Sequence, residues 1–203
     1  MPSIYDWKPR FQARLRPLTR WLAAVQVTAN QVTVLAALIS ILTGVLVSAF
    51  GQHRHVLLSI PVALFVRMAL NAIDGMLARE HGMKSRLGAI LNEIGDVASD
   101  SALYLPLALV PGFSPSLVTL VVVLAITSEM AGVVSVEIGG ARRYDGPMGK
   151  SDRAFVFGCL CGFLGLGVKG ELWINLVLGG VVLLLVLTIV NRCRQALRET
   201  SPP

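Results

Sequence analysis

Charge is scarce in this chain of 203 residues, and negative charge scarcest: 12 Asp and Glu stand against 18 Lys and Arg, and charged residues make up only 15%. Cysteine is nearly absent. Cys159, Cys161 and Cys193 are an odd number lying in or beside apolar runs, which excludes a disulfide framework and a zinc spacing and leaves them as packing residues. No run alternates polar and apolar residues as a membrane barrel strand must, so helices rather than a barrel are expected. There is no internal repeat, low-complexity tract or soluble domain. No cleavable secretory signal is evident, because the first apolar block begins only near residue 32, behind a segment containing Trp and Arg.

What the chain has instead is hydrophobicity: 54% of its residues, a mean hydropathy of +0.69, gathered into long blocks rather than amphipathic stripes. Six blocks, 32–50, 56–74, 87–110, 117–137, 154–168 and 172–190, are long enough or nearly so to cross about 30 Å of hydrocarbon as helices. The fold class expected is therefore all-α, a polytopic membrane protein of six transmembrane helices. Residues 1–30 add an N-terminal segment mixing Trp7, Phe11, Leu15, Leu18, Trp21 and Leu22 with five basic residues, which reads as an interfacial amphipathic helix interrupted at Pro9 and Pro17. Residues 31–192 form the membrane domain and 193–203 a short tail.

Fifteen of the 18 Lys and Arg fall on one side of this six-span arrangement. They lie in the N-terminal segment, in the connections at 79–86 and 142–153, and in the tail, which predicts cytoplasmic termini. The net charge of +6 is thus a topology signal and gives no reason to expect nucleic-acid binding. A compact chain with no targeting segment suits a bacterial inner membrane.

Within the apolar chain one polar run stands out. Asn71 and Asp74 are three apart at the end of the second block; Asn92, Asp96 and Asp100 are spaced four and four in the third. Helical geometry sets each group on one face, and a short connection makes the two helices antiparallel neighbours, so the faces converge. Intramembrane carboxylates are costly and mark function. Converging oxygen ligands suit Mg²⁺, Mn²⁺ or Ca²⁺ better than zinc. Gly75 and Gly88 permit close approach of backbone or substrate, and Arg79 offers a planar fork to a phosphate. A second basic stretch, Lys150, Ser151 and Arg153, leads into a helix whose N-terminus attracts anions and tilts the reading toward an anionic acceptor. Arg67 is expected to pair with Asp100 or Glu129 inside the bundle, and Asn30 and Thr33 to cap the first span.

Asp74-Gly75, two residues, Ala78-Arg79, eight residues, Gly88, three residues, Asn92, three residues, Asp96: this spacing closely resembles the signature of the CDP-alcohol phosphotransferases, also called CDP-alcohol phosphatidyltransferases. The resemblance implies six transmembrane helices, usually in a homodimer. It implies transfer of a substituted phosphate from a CDP-linked donor, here CDP-diacylglycerol, to a small alcohol acceptor with release of CMP, in phospholipid biosynthesis on the cytoplasmic side. It makes Asp96 the catalytic base, and Asp74 and Asp96 metal ligands with Asn71 and Asn92 in the two remaining ligand positions. Asp74, Gly75, Ala78, Arg79 and Gly88 contact substrate, and the polar stretch holding Asn30 and Thr33 faces the nucleotide.

Two positions depart from the family pattern, which has aspartates where this chain has Asn71 and Asn92. An amide still presents a carbonyl oxygen but removes a negative charge a divalent cation would use. Three outcomes remain open: fewer or looser metals, charge made up by Glu93 and Asp100, or lost catalysis in a relative that binds CDP-lipid. An ion-coupled transporter is the rival from a different class, since buried Asp, Glu and Arg also serve carriers.

Overall fold

A computed structural model describes residues 4–169 and 172–200, with side chains from residue 11 onward. Residues 1–3 of the N-terminal segment, the Trp7 side chain, and residues 201–203 of the tail lie outside the described parts. The regular structure of the described residues is all helical, with no strand: α1 (Ile4–Ala24), α2 (Ala29–Phe50), α3 (Ser59–Glu80), α4 (Arg86–Tyr104), α5 (Pro115–Glu137), α6 (Lys150–Gly165) and α7 (Leu172–Thr200). Short 3-10 turns over Arg54–Leu58 and Leu105–Leu109 lead into α3 and out of α4.

Among the described residues, four helical stretches are long and apolar enough to cross a membrane: Ala29–Phe50, Arg54–Glu80, Pro115–Glu137 and Leu172–Thr200. The protein is therefore an integral membrane protein. Only about a third of each stretch is buried within the chain, and large apolar side chains such as Leu42, Phe65, Leu176 and Leu183 point outward, where lipid suits them. The other two expected spans exist as helices but differ in character. α4 carries Arg86, Glu93, Asp96 and Asp100, and α6 has only 16 residues. α1 is continuous through Pro9 and Pro17, contrary to the interruption expected there. α7 runs on through the expected tail to Thr200.

The chain divides into two compact units. The first comprises Met1–Leu42 and Ala63–Ser99. Its core is Ala29, Val32, Ile73, Met76 and Leu77, with Leu15, Leu22 and Ala23 of α1 packed against them. Arg16 of α1 clasps Glu80 at the end of α3 with two hydrogen bonds of 3.1 and 2.9 Å. Thr28 starts α2 through a reciprocal capping box: its hydroxyl accepts from the Gln31 N–H, and the Gln31 side chain accepts from the Thr28 N–H. Ser85 likewise caps α4 by accepting from the Gly88 N–H at 2.9 Å.

The second unit comprises Thr43–Val62 and Asp100–Pro203. α5 and α7 lie along each other, and the buried Ile174, Leu178, Val181 and Leu185 recur at helical spacing as the inward stripe of α7. Ser114 and Pro115 open α5, the serine hydroxyl accepting from the Leu117 N–H. Tyr104 stacks on Phe157 with ring centroids 4.2 Å apart. Gly44 abuts the Ala102 carbonyl so closely that a Cβ there would have no room.

Candidate functional site

Arg67, Asn71 and Asp74 recur at i, i+4 and i+7 along α3, which gathers their side chains on one face. Asp96 of α4 meets that face. Its Oδ1 accepts from the Arg67 guanidinium at 3.3 Å and from the Asn71 amide at 3.4 Å, and Arg67 also donates to the Asp96 backbone carbonyl at 3.1 Å. Arg67 is buried, with its side chain 4% exposed, while the Asp96 side chain is 22% exposed. The cation is thus sealed inside and the carboxylate remains reachable. Arg67 was expected to meet Asp100 or Glu129; within the first unit it meets Asp96, because its helical phase is that of Asn71.

Asp74 is buried and its Oδ2 accepts from the Thr33 hydroxyl of α2 at 2.9 Å. Thr33 is therefore not the cap of α2, a task Thr28 and Gln31 perform. Neither is Asn30, whose amide reaches the Ser85 hydroxyl at 3.4 Å. A Cβ on Gly88 would come within 2.7 Å of the Asn30 side-chain oxygen and 3.0 Å of the Ser85 hydroxyl, and one on Gly75 within 2.9 Å of the Arg79 guanidinium. A side chain at Gly88 would have to displace Asn30 or Ser85, whereas one at Gly75 would only have to turn aside the exposed end of Arg79. Ala78 is half-buried beside the core, and Arg79 and Asn92 are exposed.

Among the described residues no three His, Cys, Asp or Glu side chains come together as a metal cage. The structure brings Asn71 and Asp96 together, while Asp74 lies on the Asn71 face of α3 and Asn92 one turn before Asp96 on α4, so the hard oxygen donors the motif offers are one carboxylate and one amide from each helix. Such a set is weak for a pair of divalent ions and fits a single one, with the amides contributing carbonyl oxygens.

The second basic stretch behaves differently. Lys150 and Ser151 form the first turn of α6, half-buried and exposed respectively, and the helix start is capped by Asp152, whose carboxylate accepts from the Gly149 N–H at 2.9 Å. Arg153 is 1% exposed and lies in a buried cluster with Asp100 and Glu129. Sequence reasoning offered it to a substrate anion, but its partners are carboxylates of the chain itself. Asp100 belongs to that cluster of the second unit.

A helical membrane protein carrying this acidic motif on two adjoining helices belongs to a recognisable class, and the family model for CDP-alcohol phosphatidyltransferase matches residues 26–191. The chain belongs to the CDP-alcohol phosphatidyltransferase family. It is 47% identical over 195 residues, covering 96% of each chain, to the inner membrane protein YnbA of Escherichia coli (strain K12). It is 31% identical over 102 residues, half of each chain, to the archaetidylinositol phosphate synthase of Pyrococcus horikoshii. The fold is shared with the phosphatidylinositol phosphate synthase PgsA1 of Mycobacterium tuberculosis, solved with CDP-DAG bound and in complex with manganese and citrate. Both structures give a TM-score of 0.70 at 21% identity over 91% of this chain and 92% and 87% of theirs.

Proposed function

We propose that this protein transfers a phosphatidyl group from a CDP-linked donor, CDP-diacylglycerol, to the hydroxyl of a small alcohol and releases CMP, as a step in phospholipid biosynthesis. The observation that carries the reading is the meeting of Asp96 with the Arg67 and Asn71 face of α3, within the motif that the family match covers. Asp96 is the base: its half-buried but reachable carboxylate takes the proton of the acceptor hydroxyl as that oxygen attacks the β-phosphorus. Arg67 fixes the position of Asp96 from the buried side. Arg79 pairs with the pyrophosphate and with the departing CMP. Gly75, Ala78 and Gly88 keep the walls low enough for the nucleotide to approach.

Asp74 and Asp96, with the carbonyl oxygens of Asn71 and Asn92, would hold a divalent cation, Mg²⁺ or Mn²⁺ with Ca²⁺ as a third hard ion of the right chemistry. When bound, such an ion supplies charge neutralisation for the pyrophosphate. Thr33 orients Asp74 for that task. In this reading α4 and α6 complete six spans, α1 lies on the cytoplasmic leaflet, both termini and the site face the cytoplasm of a bacterial inner membrane, and two copies form a homodimer.

Asn71 and Asn92 favour a second reading, a relative that binds CDP-lipid without turning it over. The purified protein in detergent, supplied with CDP-diacylglycerol, a panel of alcohols and each divalent ion, separates the two. CMP release that requires the metal and is lost in Asp96→Asn supports the transferase; binding of the CDP-lipid with no CMP under any condition overturns it.

A further inference from the structure

Arg67 is a cation set within an apolar helix, one turn before Asn71 and two before Asp74. It is 3% exposed, and Ala63 and Leu64, at i−4 and i−3 on the same helix, are buried with it. A guanidinium in such surroundings is costly unless a carboxylate balances it. One of its terminal nitrogens donates to the Asp96 carbonyl at 3.1 Å and to Asp96 Oδ1 at 3.3 Å. The same Oδ1 accepts from the Asn71 amide at 3.4 Å. Two N–H donors use the two lone pairs of that oxygen in the carboxylate plane, so Oδ1 is committed to Arg67 and Asn71 and is closed to a metal ion. An aspartate at position 71 could not make this contact, because it has no N–H to donate. The arginine and the amide therefore act together on one side of Asp96.

Charge decides how many divalent ions such a motif can hold. Asp74 and Asp96 carry two negative charges, and the pyrophosphate of a CDP-linked lipid brings two more. Arg67 and Arg79 return two positive charges, and a single divalent ion supplies the remainder. A second ion would leave the site doubly positive, with amides at positions 71 and 92 to face it instead of carboxylates. The neighbouring acids do not change this balance. Asp100 is bonded to Arg153 at 2.8 Å within the second unit, and Glu93 stands about 100° round α4 from Asn92.

We propose that the Arg67 guanidinium is a resident cation of the motif: it neutralises Asp96 on the side shared with Asn71, and the site accordingly binds one divalent ion and not two. The pyrophosphate part of the charge balance rests on the transferase reading above; the place of Arg67 beside Asp96, and the number of ions bound without lipid, do not. A merely structural ion pair would hold Asp96 equally well. It would, however, have no influence on how many ions bind once carboxylates are restored at positions 71 and 92.

The test uses the full-length protein in detergent and Mn²⁺ as the probe, with bound ions counted from the loss of the free-ion electron paramagnetic resonance signal. Wild type is expected to bind one Mn²⁺ per chain. Asn71→Asp with Asn92→Asp restores both carboxylates while keeping Arg67; it is expected to bind one ion more tightly, with any second at least about tenfold weaker. Adding Arg67→Met to that pair removes the resident cation, and two ions are expected, close enough to show spin coupling. Arg67→Lys in the same background keeps the charge and is expected to stay at one. Where the Arg67→Met combination does not survive extraction, Arg67→Gln, which is also uncharged, carries the comparison. Two equivalent ions in wild type, or none, overturn the proposal. So does a pair of restored carboxylates that binds two ions as tightly with Arg67 as without it, or only one in both cases. Absence of CMP release with every alcohol, in a wild type that binds its one ion, strikes the transferase reading and leaves the role of Arg67 standing.

Discussion

The Thr33 hydroxyl donates to the Asp74 carboxylate at 2.9 Å, tying α2 to the acidic motif of α3. The same hydroxyl lies 3.0 Å from the Ala29 carbonyl one turn back, so the threonine rotamer is fixed from two sides. Thr33→Val keeps the shape and removes the donor from a carboxylate that is buried. A loss of about 1 kcal/mol in stability is expected, together with a higher divalent-ion requirement for CMP release because Asp74 is no longer held in place. Thermal unfolding and a metal titration of the activity measure the two effects separately. An unchanged metal requirement would leave Thr33 with a merely structural part.

Arg67 makes a different kind of contact, a buried guanidinium bonded to both the carboxylate and the backbone carbonyl of Asp96. Arg67→Met leaves the carboxylate without its buried partner and is expected to cost about 3 kcal/mol. Arg67→Lys keeps the charge but loses the fork that reaches two oxygens at once. It should fold and lose roughly tenfold in kcat with little change in KM for the CDP-lipid, whereas Asp96→Asn should lose a factor on the order of a hundred or more. The ratio of the two effects is the readout: a positioning residue costs less than the base it positions.

In the second unit, Gly44 leaves no space between α2 and the carbonyl of Ala102. Gly44→Val must push the two backbones apart, an overpacking cost of about 2 kcal/mol, which lowers the unfolding midpoint by about 5 °C for a chain of this size. Gly162 is the control: a Cβ there meets nothing within 4 Å, so Gly162→Ala should leave the midpoint close to wild type.

The helices and the motif were legible in the sequence for a plain reason. Apolar blocks are local, and the spacing from Asp74 to Asp96 is set by residues near one another in the chain. Partners separated by dozens of residues were not legible. Arg67 could be placed on a face but its bond to Asp96 could not be foreseen, and Thr33 looked like a cap because a capping box and a buried contact draw on the same polar stretch. Arg153 shows the limit most clearly. As sequence it is a cation at a helix start beside Lys150 and Ser151; what neutralises it comes from Asp100 and Glu129, on two other helices. One signal was available: Asp100 and Glu129 are acidic residues in apolar surroundings, and such residues require a cationic partner somewhere in the fold.

Asn71 offers a test of how the missing charge acts. Its amide nitrogen lies 3.4 Å from Asp96 Oδ1 and donates to it, so in the absence of metal the amide stabilises the very carboxylate that an aspartate would repel. Asn71→Asp removes that donor and sets a second negative charge beside Asp96. With a chelator present, the variant should therefore be less stable than wild type, by about 2 kcal/mol. Added Mg²⁺ or Mn²⁺ reverses the sign, because two carboxylates now share a cation that one carboxylate and an amide hold more loosely. The midpoint of Asn71→Asp should then rise steeply with metal and pass that of wild type, and half-saturation should fall to a lower ion concentration. A metal response equal to that of wild type would mean that Asn71 does not face the ion, and the ligand set would have to be rebuilt around Asp74 and Asp96 without it.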